Sequence, residues 1–302
     1  MKYWVPPTFL FLAVAVRGAD ATHDVRFEPM FIETVTIQPY RQRVDTRVDL
    51  ALDNFKTHEG TQTVKGLFTR CRPSLEYRYA PAPNTEILFR GIYTAQSVEY
   101  TSSDGRRVDG RYSAGFSDPT IGFKLVLFPW AAVAFHTEPP TAATRNPPLG
   151  DGAHFGGDLL FKAGPCHFSI GHTARPAYTV HTSSETFRRE AGDVTDFAFA
   201  LTKKDLPSYR KNDYVGPLAE LHGIYTDRSR LDGQDVKDSA GFSGLAVFGF
   251  VLGKIDPQTV QRTRVAISVG FGDRLHKTQD PLFGVGELQL TVGYGLLWGP
   301  QL

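Results

Sequence analysis

The chain has 302 residues, of which 33 are Lys or Arg and 32 are Asp or Glu, leaving a formal net charge of +1. That balance, with no basic stripe, argues against a nucleic-acid surface. Twenty-nine glycines, a 12% aromatic share and only two methionines favour short strands over helices.

Met1 to Ala21 read as a secretory signal peptide. Lys2 supplies a basic head, Phe9 to Val16 an apolar run, and Ala19-Asp20-Ala21 an A-x-A cleavage site. The run is too short for a spanning helix of roughly 20 residues. Residues 22–42 are expected to form a periplasmic segment, a plug or an extension of the first strand, and 43–302 the main domain. Beyond the leader no apolar segment reaches helix-spanning length, so any membrane residence must be by strands.

From there the chain is a succession of segments with period two. Val44, Val48, Leu50 and Leu52 interleave with Asp45, Arg47, Asp49 and Asp53. Leu75, Tyr77 and Tyr79 alternate with Glu76 and Arg78; Ile87, Phe89 and Tyr93 with Glu86, Leu88 and Arg90. Ser113 to Phe135 carries a strand, a break at Phe128-Pro129-Trp130 and a return strand, with Lys124 opposite Ile121, Phe123, Leu125 and Leu127. Phe155, Leu159 and Phe161 alternate with His154, Asp158 and Lys162. Phe168 and Ile170 oppose His167 and Ser169. Then come Phe197, Phe199 and Leu201; Leu221 and Tyr225 opposite Glu220 and His222; Leu245, Val247 and Val251; Val265 to Phe271; and Leu288 to Leu296, alternating with Gln289 and preceded by Glu287.

The connections alternate too. Short links at Ala80–Asn84, Phe128–Trp130, Ala163–Pro165 and Lys254–Gln258, with a longer one at Lys203–Asp213, interleave with long polar links. The long ones are Lys56–Arg70, Gln96–Tyr112, Pro139–Gly152, His181–Asp193, Asp227–Ser239 and Gly272–Leu282. This order predicts an all-β fold, an up-and-down antiparallel transmembrane β-barrel of about 12 strands, with short turns and both ends in the periplasm. Twelve strands at 4.8 Å spacing and 40° tilt give a backbone diameter of roughly 24 Å, enough for a small molecule and not for a folded protein.

The lumen-facing set expected from this phase is Asp45, Arg47, Asp49, Glu76, Arg78, Glu86, Arg90, Lys124, Asp158, Lys162, Glu220, His222, Glu287 and Gln289. One reading makes it a charged constriction that selects solutes. The other makes it mutually neutralising pairs that rigidify the interior. Cys71 and Cys166 fall at opposite ends of the wall and are expected to be free. No metal-ligand spacing occurs, and no cofactor is implied. His167, Ser169 and His172 are the residues a lipase reading would need, but they fall at the expected periplasmic end, so no enzyme is predicted. Ser113-Ala114-Gly115-Phe116-Ser117 recurs as Ser239 to Ser243, small residues that let the chain turn into the wall. Trp298 stands near the C-terminus as an assembly-signal aromatic.

Gly115-Phe116-Ser117-Asp118-Pro119-Thr120-Ile121-Gly122-Phe123-Lys124 resembles the G-x-G-D-x-x-x-G-x-K segment of the MetA-pathway, or phenol-degradation, transporter family of outer-membrane barrels. Ser74 to Tyr93, Pro140-Thr141, Gly150 to Gly152 and Leu218 to Leu221 follow that family's order, while Ser117 and Ala142 depart from its glycines. The resemblance implies an outer-membrane channel for small, aromatic or apolar solutes; membrane lipid, from the apolar outer face, and the barrel-assembly machinery, from the C-terminal aromatic, are the other expected partners. The alternatives are an outer-membrane barrel with a filled lumen and no transport, and a soluble secreted β-sandwich.

Overall fold

A computed structural model describes residues 40–59, 62–101, 107–141, 152–181, 186–202, 213–236, 239–256, 258–272 and 287–299. The expected leader, the 22–39 segment and the last three residues lie outside these.

The described chain is all strand. It runs β1 (Gln42–Glu59), β2 (Gln62–Ala82), β3 (Thr85–Thr101), β4 (Arg107–Phe116), β5 (Thr120–Phe128), β6 (Ala131–Glu138), β7 (His154–Ala163), β8 (Cys166–Ala174), β9 (Tyr178–His181) and β10 (Thr186–Glu190). It continues through β11 (Val194–Thr202), β12 (Asp213–Thr226), β13 (Arg230–Leu231), β14 (Gln234–Asp235), β15 (Gly241–Ile255), β16 (Thr259–Phe271) and β17 (Leu288–Trp298). β4 and β5 both pair with β3 and act as one wall strand broken at Ser117–Pro119. Each other wall strand pairs antiparallel with its neighbours; β17 pairs with β1 and β2 with β3, which closes a barrel of twelve strands. A closed ring satisfies every backbone donor and acceptor inside the wall, the condition a hydrocarbon environment imposes on strands.

The alternation places the apolar set outside. Leu50, Leu52, Leu75, Phe89, Phe123, Phe135, Leu159, Phe199, Leu221, Phe250 and Leu290 are all exposed on the outer surface, as expected of a wall that meets lipid. Aromatics gather at both margins. Phe128 stacks on Trp130 at 5.3 Å and Trp130 on Phe161 at 6.1 Å beside the short turns; Phe197, Phe242 and Phe271 form a second row at the opposite margin. Such belts mark the two membrane interfaces.

Short turns and both ends of the barrel wall share one rim, where Gln42 pairs with Trp298. Three expectations change, two of them at the other rim. The links Lys56–Arg70 and Gln96–Tyr112 are largely strand: β1 and β2 stay paired out to Glu59 and Gln62, and β3 and β4 out to Thr101 and Arg107. The links His181–Asp193 and Asp227–Ser239 carry β10, β13 and β14, which with β9 make a separate four-stranded sheet. The third change concerns β15. Leu245, Val247 and Val251, expected on its outer face, point inward and pack with Tyr214, Leu218 and Ala266, while Phe248 and Phe250 take the outer face.

The repeated Ser-Ala-Gly-Phe-Ser has a shared backbone basis. Gly115 has a φ of 159° and Gly241 of 149°, a region that favours glycine, each where a wall strand changes course. The first copy ends β4 and leads into the break before β5; the second leads into β15. Both cysteines are free.

Candidate functional site: the charged interior

Because every second side chain of each wall strand points inward, the interior is assembled from one face of each of the twelve wall strands. The sequence-derived set follows that phase with one exception. Asp45, Arg47, Asp49, Glu76, Arg78, Glu86, Arg90, Lys124, Asp158, Lys162, Glu220, His222 and Gln289 occupy inward positions. Glu287 lies just before β17, and its carboxylate accepts a hydrogen bond at 3.1 Å from Asn54 Nδ2, a side chain on the outward face of β1.

The inward charges divide into two arcs. Along β16, β1, β2, β3 and β5 stand Arg262, Arg264, Arg43, Arg47, Arg70, Arg72, Arg78, Arg90 and Lys124, against Asp45, Asp49, Asp53, Glu76 and Glu86. Cations outnumber carboxylates there. On the facing arc, β6 to β12, are His136, His154, His167 and His222, the carboxylates Glu138, Asp158, Asp196 and Glu220, and Lys162. With the imidazoles neutral this arc is net negative.

In the first arc the groups are tied into ladders. Asp45 accepts from Arg43 Nε, from Arg262 NH2 at 2.9 Å and from Arg264 NH2 at 3.4 Å. Arg47 Nε reaches Asp49 at 3.1 Å, and Asp49 also accepts from Thr291 Oγ1 at 2.8 Å and Gln289 Nε2 at 3.3 Å. Glu76 is held by Arg78 and Arg90; Arg78 NH1 goes on to Glu86 at 2.9 Å, and Lys124 Nζ completes the run at 3.3 Å. The other arc is built of imidazole–carboxylate pairs: His136 with Asp158 at 3.4 Å, His154 with Glu138 at 3.2 Å and His222 with Glu220 at 2.8 Å. Thr120 Oγ1 donates to Glu138 at 2.9 Å.

Burial separates two sets. The side chains of Arg78 and Glu86 are 0% and 1% exposed, so their pairing is a condition of burying them at all. Arg90, His136 and Asp158 keep 22 to 25% of their surface. Members of both sets border a cavity of about 250 Å³, lined by Glu86, Leu88, Arg90, Thr120, Lys124, His136, Glu138, Asp158, Leu160, Ser169, Asp196 and His222 among others. This approaches the roughly 300 Å³ at which pockets for small organic ligands begin.

The segment that carried the family resemblance has a structural role beside this cavity. Asp118, 5% exposed in the strand break, accepts the backbone N–H of Thr141 at 2.6 Å, and Ser117 Oγ lies 2.7 Å from Thr94 Oγ1. Lys124 closes the Glu86 ladder, and Gly122 leaves room for the Leu88 side chain, whose atoms lie 3.4 Å from where its Cβ would be.

Several interior groups were not reached from the sequence. Arg262 and Arg264 precede the apolar run that begins at Val265, Arg70 and Arg72 lie within or beside an expected link, and His136 and Glu138 follow Phe135, the last apolar residue of their strand. The same period of two, carried past each apolar run, locates all of them. His167 and Ser169 face inward, with His167 Nε2 3.1 Å from Thr202 Oγ1, whereas His172 is on the outward face beside Thr195. That trio cannot converge. Among the described residues no group of three or more His, Cys, Asp or Glu is placed to hold a metal ion.

No family model and no curated protein matches this sequence. Among solved structures, the chain is similar to the COG4313 outer membrane channel from Pseudomonas putida F1, at 10% identity and a TM-score of 0.55, covering 90% of this chain and 99% of that one. The translocator domain of the autotransporter NalP from Neisseria meningitidis gives 7% identity and a TM-score of 0.43, covering 97% and 95%. The CymD monoaromatic hydrocarbon channel gives 10% and 0.35, covering 88% and 90%. At these identities the likeness is one of fold, and the fold it supports is that of the outer-membrane β-barrels.

Proposed function

We propose that the chain is an outer-membrane channel through which small solutes diffuse passively along the charged interior. The observation that carries this reading is the cavity bordered by Arg90, His136, Asp158 and His222, enclosed by a closed barrel with an apolar outer belt. Paired charges at a constriction repel solutes of the wrong charge while remaining too weakly attractive to trap the right ones. The mixed lining of Leu88, Leu160 and Ala134 between charged groups suits solutes with an apolar body, in keeping with the resemblance to the phenol-degradation transporter family. On this reading residues 1–21 direct export, the short-turn rim faces the periplasm, and the barrel-assembly machinery inserts the chain.

A second reading is favoured by the burial of Arg78, Glu86 and Asp45: a barrel whose interior is filled by its own side chains and conducts nothing. Single-channel recording in planar bilayers separates the two. Discrete current steps from protein that shows heat-modifiable gel mobility support the channel; folded, inserted protein with no conductance above the bare bilayer refutes it.

A further inference from the structure

The interior cavity has opposite character on its two sides. One is the arginine-rich arc, contributing Arg90 and Lys124; the other is the histidine and carboxylate arc, where two acids meet over a glycine. Asp158 on β7, Gly171 on β8 and Asp196 on β11 share one register line across three strands. A Cβ at Gly171 would overlap Asp158 Oδ1 and lie 2.7 Å from Asp196 Oδ1, so the missing side chain is what lets both carboxylates turn to the same point. Asp158 has His136 as its partner at 3.4 Å. Among the described residues no cation is bonded to Asp196, and it borders the cavity.

We propose that this cavity is a binding site for a small zwitterion with an apolar middle, its ammonium on the Asp158–Asp196 pair and its anionic end toward Arg90 and Lys124. The ammonium supplies Asp196 with a charge-assisted donor and gives Asp158 a second one beside His136. The anionic end meets an arc in which cations outnumber carboxylates. Leu88 and Leu160 flank the middle. A simple anion satisfies one side and is repelled by the other; a simple cation meets the converse. The proposal rests on the interior being reached by solute, as the channel reading requires, but not on conduction through the whole barrel.

The test is fluorine NMR line broadening of three ligands of one shape added to the detergent-folded full chain: 4-(aminomethyl)-3-fluorobenzoate, 3-fluoro-4-methylbenzoate and 2-fluoro-4-methylbenzylammonium. Each is compared with the Asp196→Asn protein, which cancels partition into micelles. Retained heat-modifiable mobility certifies that the variant is folded, and Asp158→Asn serves as the second variant. The zwitterion is expected to bind about tenfold more tightly than either relative and to lose about that factor in Asp196→Asn, the scale of one charge-assisted hydrogen bond. Equal broadening by all three, or a zwitterion signal unchanged in both variants, overturns the site. Conductance is measured separately: a conducting barrel without zwitterion preference overturns this inference and leaves the channel, whereas a binding barrel without conductance does the reverse.

Discussion

Arg262 NH2 lies 2.9 Å from Asp45 Oδ1 although their strands, β16 and β1, are separated by β17. The residue between them in register is Gly295. Side chains two strands apart are too distant for a direct hydrogen bond unless the intervening position is empty, and at Gly295 it is. A Cβ there would overlap Asp45 Oδ1 and come within 2.8 Å of Arg262 Nε. One carboxylate can therefore serve Arg43 from its own strand and Arg262 and Arg264 from two strands away. Gly171 does the same for Asp158 and Asp196.

Gly295→Val is expected to separate Asp45 from Arg262 and leave buried guanidinium groups short of an acceptor. Losing a partner of a buried ion pair costs about 3–5 kcal/mol. The temperature at which the folded, fast-migrating gel band disappears should fall markedly in Gly295→Val. It should fall much less in Gly91→Val, where nothing lies within 4 Å of an added Cβ. Similar transitions in the two variants would mean that the pairing across β17 adds little.

The phase of β15 makes a second expectation. Val247 is fully buried on the inward face and its neighbour Phe248 is 63% exposed on the outward face. Phe248→Arg places a charge against lipid, at a cost of about 2–4 kcal/mol near the bilayer midplane. Val247→Ala empties a packed interior position and costs about 1 kcal/mol or somewhat more. Cysteines placed singly at 247 and 248, in a background without Cys71 and Cys166, check the phase directly. A lipid-phase maleimide should label position 248 and spare 247.

This strand shows where the sequence stops being legible. Strands such as β17, with Leu288, Leu290, Val292 and Tyr294 against Gln289, Thr291, Gly293 and Gly295, declare their two faces by polarity alone. In β15 the run Gly244 to Leu252 is apolar or glycine on both faces, so a period of two carries no sign and only the pairing with β12 and β16 sets it. The extensions of β1 to β4 were hidden for the opposite reason. Beyond the apolar belt the sequence stops alternating, and a paired strand there reads as polar as a loop. The ladders around Asp45 and the Asp158–Asp196 pair depend on register across three strands, information that individual strand patterns do not contain.

Asp118→Ala is expected to loosen the wall at the break between β4 and β5. Its carboxylate is buried and caps the N–H of Thr141 just past Pro139-Pro140, a bond to a charged group worth about 1.5–3 kcal/mol. Hydrogen exchange at the Thr141 and Ser117 amides should quicken in the alanine variant, with Asp118→Asn, which keeps an acceptor oxygen, largely restoring protection. Unaltered exchange in the alanine variant would assign the cap no part in holding the break.

The small sheet outside the barrel should respond to acid by itself. Asp235 on β14 accepts Arg228 NH1 at 3.0 Å and Arg230 Nε at 3.1 Å, and these two bonds, ahead of the coulombic attraction, hold its carboxyl below the ordinary aspartate value of 3.8. A carboxylate whose folded pKa is depressed contributes its stability above the unfolded value and loses it as the pH falls through the folded value. The turn joining β13 and β14, with Val236 N–H bonded to Ser229 C=O at 2.9 Å, is therefore expected to stay protected at about pH 5 and to open progressively below about pH 4. Exchange of the Val236 amide, normalised to its intrinsic rate at each pH, reads this. Asp235→Asn should exchange faster at pH 5 and lose the acid dependence, because the asparagine cannot titrate. A variant that keeps the same acid-driven opening would place its cause in the other carboxylates of this sheet, Glu190 beside Arg230 foremost.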